Sequence, residues 1–217
     1  MKYQGVIFDF NGTLFYDTPF HNIAWQRVVK EITGKDIDQD LKIKMHGKNN
    51  KEIIRCIQSD MNDQDNEYYS KHKEELYRNI CLENPEQLHL VKGAISFFEY
   101  LKRNNIPFTI ASASIKENID FFVEIFELDK WFDVGKIIYD DGKYIDKIEM
   151  FNDASKLLNV NIDECIIFED SSSGIGYAKD VNSGLVVGVG NDAARLMDYG
   201  ADMCITNFDE FDGDKYL

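Results

Sequence analysis

The chain has 217 residues, 44% of them hydrophobic, and a formal charge of −15 from 24 basic and 39 acidic side chains. That length holds one large domain or a core domain with a smaller one, and the apolar content supplies a sizeable core. The charge argues against nucleic acid and anionic membrane surfaces as partners, and it means that an anionic substrate needs a local cation, expected to be a metal.

The first strand is predicted over residues 3–10, where Val6-Ile7-Phe8 is a short apolar run that ends in the carboxylate of Asp9. A turn led by Gly12 follows at once, the pattern of a buried parallel strand that delivers a reactive side chain to its C-terminal end. An Asx-type turn, with Asp9 merely capping, has the same signature. Thr18 as N-cap and Pro19 as first helical residue then start a helix with Phe20, Ile23, Ala24, Trp25, Val28 and Ile32 at helical spacing, ending at Gly34. Further helices are predicted over 38–45, 51–59 and 65–81, so the chain reads as helices only up to about residue 82.

From Leu88 onward helices and strands alternate. Helices are predicted at 93–103, 116–126, 149–158 and 174–181, and strands at 108–111, 137–139, 165–168, 185–189 and 203–206. Such alternation indicates an α/β fold, a doubly wound parallel sheet. The expected division is a Rossmann-like core from residues 1–16 and 88–217, with an all-helical cap domain, 17–87, inserted after the first strand. The crossings near 15–17 and 84–90 are the expected hinges, and the acidic end, 209–217, is expected to be disordered. No apolar run reaches membrane-spanning length and no signal segment opens the chain, so the expected location is cytoplasmic. Cys56, Cys81, Cys165 and Cys204 are scattered and do not read as a metal or disulfide framework; Cys165 and Cys204, in apolar strand-like runs, read as small core residues.

Several polar residues fall at predicted strand ends, where ligands of open parallel sheets bind. Ser112 and Ser114 follow the 108–111 strand, Lys147 precedes a helix, and Glu169-Asp170-Ser171-Ser172-Ser173-Gly174 follows the 165–168 strand. Taken singly they read as caps, a solvated charge and the acidic start of a helix. Their joint placement with Asp9 points to one site. His21 lies among apolar neighbours and reads as structural, or as a group that orients Asn11 or a substrate hydroxyl. Lys71 and Lys73 read as solvated. Gly174-Ile175-Gly176 and Gly188-Val189-Gly190 lack the third glycine of a dinucleotide loop.

In these residues the chain resembles the haloacid dehalogenase-like phosphohydrolases, and within them the β-phosphoglucomutase and sugar-phosphatase group with a helical cap. Asp9-Phe10-Asn11-Gly12-Thr13-Leu14 is similar to the first motif, DxDGTL, and Ser112 matches the second. Glu169-Asp170-Ser171-Ser172-Ser173-Gly174-Ile175 matches the fourth, and Asp17 through Trp25 is similar to the start of the group's cap. The resemblance implies a Mg²⁺-dependent phosphatase that passes a phosphoryl group through an aspartyl-phosphate on Asp9. Its substrate would be a small phosphorylated metabolite, a sugar phosphate. The implied metal ligands are Asp9, the main-chain carbonyl of Asn11, Glu169 and Asp170, an oxygen set that suits Mg²⁺. Ser112 and Lys147 would bind and balance the phosphoryl charge. Gly12, Thr13, Ala113 and Ser114, with His21, Gly47, Lys48 and Asn50 of the cap, are the implied substrate contacts. The protein is expected to act as a monomer.

Three departures qualify this. Asn11 replaces the acid that protonates the leaving group, and an amide does not transfer a proton at neutral pH. The segment after Lys147 lacks the prolines of the third motif, which leaves Lys143 as a competitor. The segment 46–51 lacks the arginine of phosphoglucomutases, which favours a phosphatase over a mutase. Two alternatives stand beside the phosphatase: a catalytically weak or inactive phosphometabolite-binding protein, and a β-phosphoglucomutase-like phosphomutase.

Overall fold

The structure, a computed structural model, describes residues 2–45 and 48–217. The chain divides into two compact units, Met1–Tyr16 with His89–Leu217, and Asp17–Leu88. In chain order the elements begin with β1 (Gly5–Phe8), α1 (Thr18–Thr33), α2 (Gln39–Met45), α3 (Asn50–Ile57) and α4 (Asp63–Glu83). Next come α5 (Ala94–Arg103), β2 (Phe108–Ile115), α6 (Lys116–Ile125), β3 (Ile138–Asp140) and α7 (Lys147–Leu158). The series closes with β4 (Cys165–Glu169), α8 (Ser172–Asp180), β5 (Leu185–Val189), α9 (Ala193–Asp198), β6 (Met203–Ile205) and α10 (Gly213–Tyr216).

In the first unit the strands form one parallel sheet in the order β3-β2-β1-β4-β5-β6, a doubly wound, Rossmann-like arrangement. β1 lies between β2 and β4, which explains why Val6, Ile7 and Phe8 are all fully buried: both faces of a central parallel strand are covered. The pairing of Phe8 with Ile110 and with Phe168 brings the ends of β1, β2 and β4 level, so the polar residues that follow each apolar run share one edge. One face of the sheet carries Ile7, Ala111, Ile167 and Val186, packed with Phe151, Ala154, Ile175, Ala178 and Leu196 of α7, α8 and α9. The other face is aromatic. Phe8 meets Phe97, Phe98, Phe108, Phe132, Phe168 and Phe208, with ring centroids 5.2–6.4 Å apart.

The second unit is helical throughout. α1 packs on α4, and Trp25, Val28, Ile53, Ile54 and Met61 form its core with Ile32, Ile37, Tyr69 and Leu76 against them. Asn49 and Glu52 cap α3 reciprocally, each side chain taking the other's backbone N–H at 3.0 Å.

Several sequence expectations are corrected. Residues 209–217 are not disordered: α10 forms there, and Phe208 and Phe211 are buried against Phe97 and Phe168. Ser112 and Ser114 lie on β2 itself, which continues to Ile115 because β3 pairs with that stretch across a register shift. α7 starts at Lys147, two residues earlier than expected, because the Asp146 carboxylate caps it by accepting the Ile148 N–H at 2.8 Å. Asp17, not Thr18, occupies the position before α1, and its carboxylate accepts a bond from Tyr77 without capping the helix. α9 is an element the alternation did not reveal, a helix of six residues.

Candidate active site

Asp9 follows β1 directly and is 4% exposed. Its main-chain N–H donates to Phe168 O at 2.9 Å, which ties it to the end of β4. Lys147 Nζ donates to Asp9 Oδ1 at 2.6 Å and also to Glu169 Oε1, while Thr13 Oγ1 donates to Asp9 Oδ2 at 3.3 Å. Glu169 is fully buried, and its Oε2 accepts from the Asp170 N–H and Ser171 N–H, both at 2.9 Å, and from Ser171 Oγ at 3.0 Å. Ser171 Oγ in turn accepts the Gly174 N–H at 3.0 Å and so caps α8. The helix start therefore fixes Glu169, and Glu169 fixes Lys147.

Two glycines are required by this packing. Gly12 has φ +78°, and a Cβ there would lie 2.1 Å from Asp170 Oδ2. At Gly174 a Cβ would come within 1.9 Å of Glu169 Oε1. The turn after β1 and the start of α8 are thus folded directly onto the two acidic side chains.

Asp9, Glu169 and Asp170 place carboxylate oxygens within 4.8 Å of one another. Asp9 and Glu169 share the Lys147 ammonium, and Asp170 adds a third carboxylate to the cluster. Burial pushes the Asp9 carboxyl well above its ordinary range; Lys147 pulls it back and Glu169 adds to the push. Burial works against the charge on Lys147, yet Asp9 and Glu169 outweigh it and raise its pKa. An all-oxygen donor set with surplus negative charge fits a hard divalent cation such as Mg²⁺.

Of the residues singled out in the sequence, Asp9, Thr13, Lys147, Glu169 and Asp170 come together here. Asn11, Ser112 and Ser114 form a second cluster of the same unit: both serine hydroxyls donate to Asn11 Oδ1, Ser114 at 2.6 Å and Ser112 at 3.4 Å. Ala113, between them, is exposed. Lys147 is the lysine at Asp9, whereas Lys143 is exposed and pairs with Asp141.

The helical unit holds its own polar cluster. Lys73 Nζ bonds His21 Nδ1 at 2.7 Å and Glu74 Oε1 at 2.8 Å, and Glu74 Oε1 also accepts from Asn50 Nδ2 at 2.6 Å. His21 Nε2 lies 3.2 Å from Asp17 Oδ2, which takes the Tyr77 hydroxyl at 2.6 Å, and the rings of His21 and Tyr77 stack at 4.0 Å. Burial disfavours the charge on Glu74, but Lys73, His21 and the bonds from Lys73 and Asn50 outweigh it and lower its pKa to about 2. Lys73 is 3% exposed, contrary to its reading as a solvated charge. Its stem runs where its ammonium can sit 5.5 Å from the ring centroids of both Trp25 and Tyr77. Lys71, by contrast, is exposed and paired with Glu67. Lys48 is exposed, and Gly47 lies outside the described residues. Tyr77 and Glu74 were not singled out in the sequence; the spacing Lys73–Tyr77, one helical turn, was the available signal.

The sheet order, with a helical unit inserted directly after β1, defines the doubly wound α/β class. The chain belongs to the haloacid dehalogenase-like hydrolase family, whose match spans residues 3–182. Among solved structures it is similar to a family IA, variant 3 hydrolase of this superfamily from Entamoeba histolytica. That likeness has 36% identity and a TM-score of 0.91 and covers 100% of this chain and 97% of the other. β-Phosphoglucomutase from Clostridium difficile is similar at 25% identity and a TM-score of 0.79, over 98% and 95% of the two chains. The phosphorylated carbohydrates phosphatase of Thermotoga maritima is 27% identical over 210 residues, 91% of this chain and 92% of that one. These relatives make it an enzyme of the phosphatase and phosphomutase type.

Proposed function

We propose that the chain is a Mg²⁺-dependent phosphatase acting on a small phosphorylated carbohydrate through an aspartyl-phosphate on Asp9. The observation that carries this reading is Asp9 itself, a buried carboxylate at the end of the central strand, held by Lys147 and Thr13 beside Glu169 and Asp170. Asp9 attacks phosphorus in line, and the bond to the leaving oxygen breaks. Lys147 offsets the charge that gathers on Asp9 before attack and on the phosphoryl oxygens during it. With substrate bound, Ser112 gives up its long 3.4 Å bond to Asn11 and donates to a phosphoryl oxygen from β2, Ser114 still holding Asn11 at 2.6 Å. The glycine turn at 12 lets backbone N–H groups approach the anion. Asp9, Asp170 and the carbonyl of Asn11 would hold the cation, while Glu169, whose two oxygens are engaged by Lys147 and the α8 start, would anchor the cluster. When bound, Mg²⁺ relieves the repulsion between an anionic nucleophile and an anionic substrate.

The names of the relatives support the substrate class: phosphorylated carbohydrates for the Thermotoga protein and fructose 1-phosphate for YqaB of Escherichia coli, 25% identical over 180 residues. The absence of arginine from segment 46–51 supports hydrolysis over a mutase reaction, which needs a firm grip on a second phosphate. The test is Mg²⁺-dependent phosphate release from a panel of sugar phosphates, with Asp9→Ala as the blank. Release above that blank supports the reading, and activity equal to it on every compound refutes it.

A further inference from the structure

Asn11 is two residues beyond Asp9, and its side chain is oriented by β2. Ser114 Oγ donates to Asn11 Oδ1 at 2.6 Å and Ser112 Oγ at 3.4 Å. Ser112 Oγ also accepts the Ser114 N–H at 3.2 Å, so its O–H is the group that turns to Asn11. With its carbonyl oxygen held by the short bond from Ser114, the amide keeps its NH₂ end on the side away from that serine. An NH₂ end can donate a hydrogen bond, but it neither surrenders a proton to a departing alkoxide nor accepts one from water.

We propose that this serine-held amide restricts the site to phosphates whose leaving oxygen departs without a proton. That chemistry is a weakly basic leaving oxygen, found in an acyl phosphate; among carbohydrates the anomeric oxygen is the least basic leaving group, although far more basic than a carboxylate. The inference rests on the phosphatase reading of Asp9 and narrows its substrate class. In the first step an Asp9 carboxylate oxygen bonds to phosphorus while the bond from phosphorus to the leaving oxygen breaks. The electron pair stays on that oxygen, which leaves as a carboxylate, or as an anomeric alkoxide that takes a proton from solvent after departure. In the second step a water oxygen bonds to phosphorus and Asp9 leaves as a carboxylate. One hydrogen of the water stays on the new P–OH and the other passes to a phosphoryl oxygen, so the product is dihydrogen phosphate. No protein group gains or loses a proton in either step.

The experiment measures kcat/KM for acetyl phosphate, glucose 1-phosphate and glucose 6-phosphate with the wild type and Asn11→Asp, each corrected with Asp9→Ala. The expected order for the wild type is acetyl phosphate, then the 1-phosphate, then the 6-phosphate. Asn11→Asp is expected to raise the 6-phosphate by about 10²-fold or more and acetyl phosphate far less. Within the wild type alone, a series of aryl phosphates is expected to show a steep fall of log kcat/KM as the leaving phenol becomes more basic. A flat series overturns the inference, as does a 6-phosphate turned over as fast as acetyl phosphate, or one that Asn11→Asp does not accelerate; the phosphatase reading survives these results. Phosphate release that never exceeds the Asp9→Ala blank overturns both.

Discussion

Lys147 bonds both Asp9 and Glu169, so its replacement changes the charge at the nucleophile directly. Lys147→Met leaves two buried carboxylates facing each other, and the Asp9 carboxyl, already pushed up by burial, rises further. Phosphate release at pH 7 is expected to fall by about 10²- to 10³-fold, the loss typical of one preorganised charge-stabilising group. The acid limb of the rate profile is expected to move to higher pH, since Asp9 attacks only when ionised. A variant with a wild-type rate and profile would remove Lys147 from this role. At Gly12 the expected effect of Ala is structural. A Cβ would enter the Asp170 carboxylate at a positive φ, and destabilisation of more than about 1 kcal/mol is expected in urea unfolding. Asp9, Glu169 and Asp170 were legible in the sequence because each directly follows or ends an apolar strand run. In the sequence Lys147 is assigned with Lys143 left as a competitor, because the choice between them depends on where α7 begins, and that is set by the Asp146 cap.

α4 carries a buried ion pair, Lys73–Glu74, whose members bond His21 of α1 and Asn50 of α3. The carboxyl of Glu74 has its pKa lowered from 4.5 to about 2. A group depressed in the native state stabilises it above the unfolded value and loses that contribution as pH falls through the folded one. The stabilisation from Glu74 is therefore whole above about pH 4.5 and disappears towards pH 2. Acid titration followed by circular dichroism is expected to show helix loss in this window, and Glu74→Gln is expected to flatten it. An unchanged profile in that variant would mean the depression is not what protects the helices. Removing only the cation, as in Lys73→Met, is expected to cost about 3–5 kcal/mol, because it strands a buried carboxylate. Sequence periodicity located α1, α3 and α4 within a few residues. It misjudged Lys73, because a lysine in a polar helix reads as solvated. Its burial depends on Trp25 and His21, both on α1, which only tertiary packing brings to it, while Asn50 of α3 bonds its neighbour Glu74.

For the whole molecule, 15 surplus negative charges raise the cost of folding three carboxylates into one cluster, and a cation bound only by the native state offsets it. Mg²⁺ at 100 times its dissociation constant is expected to add about 2.7 kcal/mol. Thermal melts should rise with millimolar Mg²⁺, and Asp170→Ala should abolish the rise; equal Tm values with and without Mg²⁺ in the wild type would refute the cation site. The doubly wound architecture was legible because alternating apolar runs and helices leave few topologies. The ordered C-terminus was not, since its acidic composition hides Phe208 and Phe211, which matter only once α5 and β4 supply a surface for them. That surface has a further consequence. Six rings surround Phe8 on one side of the sheet, while the buried core of the opposite side is mainly aliphatic around the single ring of Phe151. Ring currents are therefore concentrated on one side, and aliphatic protons lodged among those rings will resonate far from their usual positions. A few displaced methyl lines in a one-dimensional proton spectrum would then report on the packing of that side alone, and loss of Phe208 would collapse them before the aliphatic side responds.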